Sequence, residues 1–166
     1  MAEILVTIST VISEHHTTRE HTRLAGDSIS DEEAITTLKA TSRDWIPGRR
    51  GGPEKRQMKL LQRLNFVEEG LKNHFATEET VLAMLLGELL TRAIILDHRN
   101  IVEKIHKARS IVADMVLQGL SREELLTKES QILQLIDHIC HLIEDHATKE
   151  DIVLDMMERA LQDEQV

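Results

Sequence analysis

One stretch of this chain occurs twice, and in both places the spacing of its apolar residues is that of a helix. His74-Phe75-Ala76-Thr77-Glu78-Glu79-Thr80-Val81-Leu82-Ala83-Met84 aligns without gaps on His146-Ala147-Thr148-Lys149-Glu150-Asp151-Ile152-Val153-Leu154-Asp155-Met156, 72 residues further on. Upstream, Leu61, Leu64, Val67 and Leu71 correspond to Leu133, Ile136, Ile139 and Ile143. These positions recur at the period of a helix with one buried face. Two helices built alike, each with a His and a Glu on its apolar stripe, must turn those stripes toward a shared interior. A weaker match, Glu14-His15 with Asp97-His98, relates two further segments. The chain therefore reads as two helical hairpins facing each other across a pseudo-two-fold axis.

Two prolines and seven glycines in 166 residues leave few points at which a helix has to stop. Residues 3–25 carry Ile4, Ile8, Val11, Ile12 and His15 at helical spacing, and Gly26 ends them. Ser30-Asp31-Glu32-Glu33 is a capping-box pattern and predicts a short helix over 31–44. Residues 45–53 read as a loop, with Pro53 suited to the first turn of the next helix. Long helices are then expected over 54–86 and 88–118, separated by Gly87 and closed by Gly119. Ser121-Arg122-Glu123-Glu124 opens a last helix to about residue 162, with a break near Thr127 to Ser130. The expectation is one all-α domain over 1–166, an up-down four-helix bundle with a short extra helical segment between the first and second long helices.

Nine histidines are the unusual count in this composition. At about 1.5 Å of rise per residue, His15, His74, His98 and His146 come to a similar height when neighbouring helices run antiparallel. Val11 and Ile12 precede His15 by one turn, which puts His15, rather than His16, on the apolar face. His and Glu at i and i+4 share a helix face, so His74 with Glu78 and His146 with Glu150 can each aim at one centre. Imidazole with carboxylate suits iron, manganese or zinc. An exposed, salt-bridged face is the bland alternative for these pairs, but they lie on the apolar stripe, where an uncompensated charge is costly.

These motifs resemble the hemerythrin-like family of cation-binding domains, which carry a His, then His-x-x-x-Glu, then a His, then His-x-x-x-Glu. The resemblance covers nearly the whole chain. It implies two non-haem iron ions: His15 and His74 on one, His98 and His146 on the other, with Glu78 and Glu150 bridging and an oxo or hydroxo group between them. The family's oxygen carriers have a His-x-x-x-His on the third helix, and here the first of that pair is Ile94. They also place an Asp five residues after the fourth-helix His; Asp151 has that spacing, but Glu150 fits the repeat better. The resulting symmetric centre resembles a bacterial subgroup and the hemerythrin domain of an F-box iron sensor. What the resemblance implies is binding of dioxygen, nitric oxide or peroxide for sensing, storage or detoxification. A di-iron oxidase or peroxide-consuming enzyme, and an iron-responsive regulatory module, are the alternatives; with no Tyr in the chain, a tyrosyl radical has no part in either.

A net charge of −9 argues against a nucleic-acid partner. No apolar run approaches a membrane span, the N-terminal residues lack a signal pattern, and the lone Cys140 fits a reducing cytoplasm. Homo-oligomers and protein partners stay open, including a docking role for the basic stretch from Arg43 to Arg56. His106 and His138, each eight residues from a candidate ligand, are expected to meet as a hydrogen-bonded core pair rather than as a second metal site. His21 and His141 are expected at the surface, and Met84, Met156 and Cys140 in the core.

Overall fold

The structure, a computed structural model, describes residues 28–44 and 52–163. The helix expected over 3–25, with His15, His16 and His21, and most of the 45–53 loop lie outside the described residues. Within them the chain is all-helical, without strands: α1 (Asp31–Asp44), α2 (Pro53–Leu85), α3 (Gly87–Ala113) and α4 (Arg122–Asp163). No helix among them is long and apolar enough to cross a membrane.

Local chemistry sets most of the boundaries. The Ser30 hydroxyl accepts the Glu33 N–H at 3.2 Å, and three acidic residues occupy the first turn of α1, where they meet the positive end of the helix dipole. Pro53 starts α2 after an extended Gly52. Gly87 takes φ 71°, a left-handed conformation that lets α3 begin with only Leu86 between it and the end of α2 at Leu85. At α4 both arms of the capping box form: Glu124 N–H donates to Ser121 Oγ at 3.3 Å, and Ser121 N–H donates to the Glu124 carboxylate at 2.8 Å.

Two boundaries differ from the sequence expectation. Helix α3 stops at Ala113 instead of running to 118. The Gln57 side-chain amide, from α2, donates to the carbonyls of Val112 at 2.6 Å and Met115 at 2.8 Å, and so satisfies acceptors that another turn of helix would have used. Helix α4 continues without a break through Thr127 to Ser130. The Thr127 hydroxyl bonds back to the Glu123 carbonyl at 3.0 Å, and buried Glu129 meets Arg56 at 3.5 Å.

The helices form a ring in which α2 contacts α3 and α1, while α4 contacts α3 and α1. Helices α2 and α3 run antiparallel, tied by Arg109 to Asn65 at 2.6 Å near one end and Thr91 to the Leu82 carbonyl at 3.4 Å near the other. Helix α1 runs antiparallel to α2, with Arg63 on Asp44 at 2.8 Å and the Ile29 N–H on the Gly70 carbonyl at 3.4 Å. The repeat is legible in burial: Leu60 and Ile132, Leu64 and Ile136, Val67 and Ile139, Leu71 and Ile143, and Leu82 and Leu154 are all buried.

Three expectations about individual side chains need correction. Met84 and Met156 are exposed, at 72% and 65%. Each lies two residues past a buried Leu, about 200° around the helix. His106 and His138 are both exposed and form no core pair; His106 turns to Glu68 at 3.4 Å and to Arg109 at 3.2 Å. Eight residues from the ligand positions is about 80° off the inward face, so equal height did not bring the two rings together. Cys140 is buried as expected, and burial pushes its thiol up to about 11. Glu68 is a buried carboxylate whose burial cost is outweighed by Lys72, Arg109 and His106, which hold it below the usual range.

The tightest contact in the fold predicts a mutational effect. A Cβ placed on Gly70 would stand 2.5 Å from Ile29 Cγ1 and 3.0 Å from its Cγ2, on a side chain that is itself buried. Gly70→Ala is expected to destabilise the protein by about 1–3 kcal/mol, read by urea unfolding. Ile29→Ala in the same chain should recover part of that loss; a Gly70→Ala protein as stable as the parent would refute the contact.

Candidate metal centre

Helices α2, α3 and α4 each turn a polar side chain into the bundle at one level. Glu78 on α2, His98 on α3, and His146 with Glu150 on α4 are all buried, at 6%, 2%, 2% and 2% exposure. One ligand atom from each lies within 4.8 Å of the others, so the four could hold a metal ion. His98 Nε2 is 3.1 Å from His146 Nε2, 3.5 Å from Glu78 Oε2 and 3.5 Å from Glu150 Oε1. His146 Nε2 is 3.6 Å from Glu150 Oε1. Two donor atoms each about 2.1 Å from one cation stand about 3.0 Å apart at a right angle and about 3.4 Å apart at a tetrahedral angle. The His98–His146 spacing of 3.1 Å falls in that range and the others, at 3.5–3.6 Å, lie just above it; the donor set is one that divalent metals accept.

His74 stands at the edge of this group. Its Nε2 is 3.0 Å from Glu78 Oε1, and its side chain is 15% exposed. Glu78 thus presents one oxygen toward His74 and the other toward His98. Of the six residues singled out in the sequence, Glu78, His98, His146 and Glu150 converge, His74 joins through Glu78, and His15 lies outside the described residues. The bland reading of the two His-x-x-x-Glu pairs as exposed salt bridges fails on the burial of both glutamates.

Two functional neighbours were not singled out by sequence reasoning. His98 donates its Nδ1–H to Glu79 at 3.0 Å, and Phe75 stacks flat on the His98 ring with centroids 3.9 Å apart and planes 5° from parallel. Phe75 also meets His146 edge-on at 5.4 Å. The signal available for Glu79 was its step of one residue from Glu78, about 100° around α2, which turns it from the interior toward α3.

Electrostatics follow from burial. Burial disfavours a charge on His98, but Glu150, Glu79 and Glu78 overcome it and hold the ring above the usual histidine range. His146 is pushed down to about 4, first by burial and then by the charge of His98, so at neutral pH the ring is neutral and one of its nitrogens offers a lone pair.

Comparison with protein-family models, with curated proteins and with solved structures finds no match. The functional reading rests on the geometry of the buried group.

A metal that takes His98 as a ligand must displace its Nε2 proton. Because that proton is held more tightly than in free histidine, metal binding should weaken as the pH falls, beginning above the ordinary histidine range, with proton release on binding. Calorimetric titration in buffers of different ionisation enthalpy reads both; an affinity independent of pH would contradict the assignment of His98.

Proposed function

We propose that this chain is a non-haem di-iron protein of the hemerythrin-like kind, an up-down four-helix bundle whose centre binds oxygen or a related small ligand, nitric oxide or peroxide, for sensing, storage or detoxification. The observation that carries the reading is Glu78, with one oxygen 3.0 Å from His74 and the other 3.5 Å from His98. A carboxylate reaching toward imidazoles on two different helices is what a bridge between two cations requires. In this reading His98 and His146 would hold one iron and His74 with His15 the other, and Glu78 and Glu150 would be shared between them. Imidazole and carboxylate would serve manganese or zinc as well; iron is supported by the resemblance. Iron held there would supply redox chemistry and exchangeable positions for a small ligand.

The protein's own residues set what can reach the centre. One turn toward the Gly87 end, Leu82, Ile94 and Leu154 pack together as a buried apolar layer. Toward the other end, Leu71, Ile101 and Ile143 are buried at 0%, 1% and 0% exposure. The polar group is therefore closed along the bundle axis by hydrocarbon on both sides, which excludes bulk water and favours small, weakly polar ligands. Ile94 belongs to this wall at the position where the oxygen carriers place another histidine. One fewer imidazole makes simple oxygen carriage a poorer fit than sensing or reaction with oxygen-derived species.

Metal content of purified variants tests this reading. Wild-type protein is expected to hold two irons per chain, and Glu78→Ala or His146→Ala to lose the pair, while His16→Ala keeps it. Equal loss in all three variants would overturn the choice of His15 on the first helix. A single zinc, or no bound metal, in the wild type would overturn the function.

A further inference from the structure

The His98 ring is held from two directions that have nothing to do with the other candidate ligands. Its two nitrogens point away from each other. Nε2 faces the interior group, 3.1 Å from His146 and 3.5 Å from both Glu78 and Glu150. Nδ1 faces outward and donates to Glu79 Oε1 at 3.0 Å. Phe75 lies flat on the ring face at 3.9 Å. The stack fixes the tilt of the imidazole, and the carboxylate fixes which nitrogen is turned inward. Together they leave the ring one orientation and one place for its Nδ1 proton.

From this we infer that Glu79 is a positioning residue for the metal centre: it orients His98, keeps Nδ1 protonated, and so presents the Nε2 lone pair to a cation. A carboxylate behind a metal-bound imidazole raises its basicity and holds its direction. The inference rests on the reading of His98 as a metal ligand. Glu79 is not itself part of the buried group, because it lies on the far side of the ring from Nε2 and its side chain is 34% exposed. It reaches His98 from the wall of a cavity of about 430 Å³ between α2 and α3, whose lining also includes Ala76, Val102 and Glu103. The repeat adds a second observation. Position 151, the counterpart of Glu79, is also acidic, whereas position 147, the counterpart of Phe75, is alanine. The carboxylate at this place is kept in both halves and the aromatic stack is not.

The experiment is a titration of metal-free protein with cobalt(II), whose paramagnetism shifts the ring N–H protons of bound histidines clear of the rest of the proton NMR spectrum. Wild-type protein should show a shifted, solvent-exchangeable Nδ1–H from His98 that exchanges slowly. Glu79→Ala should bind cobalt about 10- to 100-fold more weakly, and that resonance should broaden or vanish through faster exchange. Glu79→Gln keeps the size of the side chain and an acceptor oxygen, so it should restore the slow exchange and part of the affinity. Because Glu79 borders open space, truncation leaves no buried void, and Glu79→Gln covers the case in which the alanine variant folds poorly. Glu103→Ala removes a like charge from the same cavity without touching the His98 hydrogen bond, and its affinity should stay within about threefold of wild type. An unchanged affinity and resonance in Glu79→Ala, or an equal loss in Glu103→Ala, would overturn the positioning role. Failure of the wild type to bind cobalt would instead overturn the metal centre itself.

Discussion

A carboxylate that leaves water for a hydrocarbon interior must meet a compensating charge or give up its own. Glu78 and Glu150 face that demand together, on two helices whose neighbouring turns are Leu71, Leu82, Ile143 and Leu154. Both carboxylates are themselves buried, at 6% and 2% exposure. The arrangement of His98 and His146 around them follows from that demand. The carboxylates around His98 hold its ring above the usual histidine range against the cost of burial, while burial first and the charge of His98 second push His146 down to about 4. A divalent cation among these side chains would meet the same demand.

The repeat explains how a chain can place two such carboxylates without distorting its core. The two related helices carry the same apolar spacing on either side of the centre, so each contributes one His-x-x-x-Glu at the same level. Where the repeat lapses, the halves become unequal. Phe75 has Ala147 as its counterpart, and only Phe75 stacks on a histidine among the described residues. Glu68, paired with Lys72 and Arg109, has Cys140 as its counterpart, a buried thiol. The two halves thus share the His-x-x-x-Glu spacing and differ in what surrounds it.

Much of this was legible in the chain before any coordinates. Apolar spacing located the three long described helices, the capping boxes marked where α1 and α4 begin, and the i, i+4 pairs marked Glu78 and Glu150 as inward-facing. What stayed hidden depended on a neighbour distant in sequence. The end of α3 is set by Gln57, and the role of Glu79 exists only because α3 brings His98 within 3.0 Å. The pairing of His106 with Glu68 rather than His138 is of the same kind, since height along a bundle says nothing of rotation about each helix. Met84 and Met156 are different: their angle from Leu82 and Leu154 was available from the sequence and predicts exposure.

Whether the buried group holds two metals, with Glu78 between them, or one is measured by diffraction from iron-loaded crystals at the iron absorption edge. A paired centre would give two anomalous peaks about 3.5–4 Å apart, one against His98 and His146, the other against His74, with a Glu78 oxygen on each. A single peak, or iron bound away from Glu78 and Glu150, would contradict it.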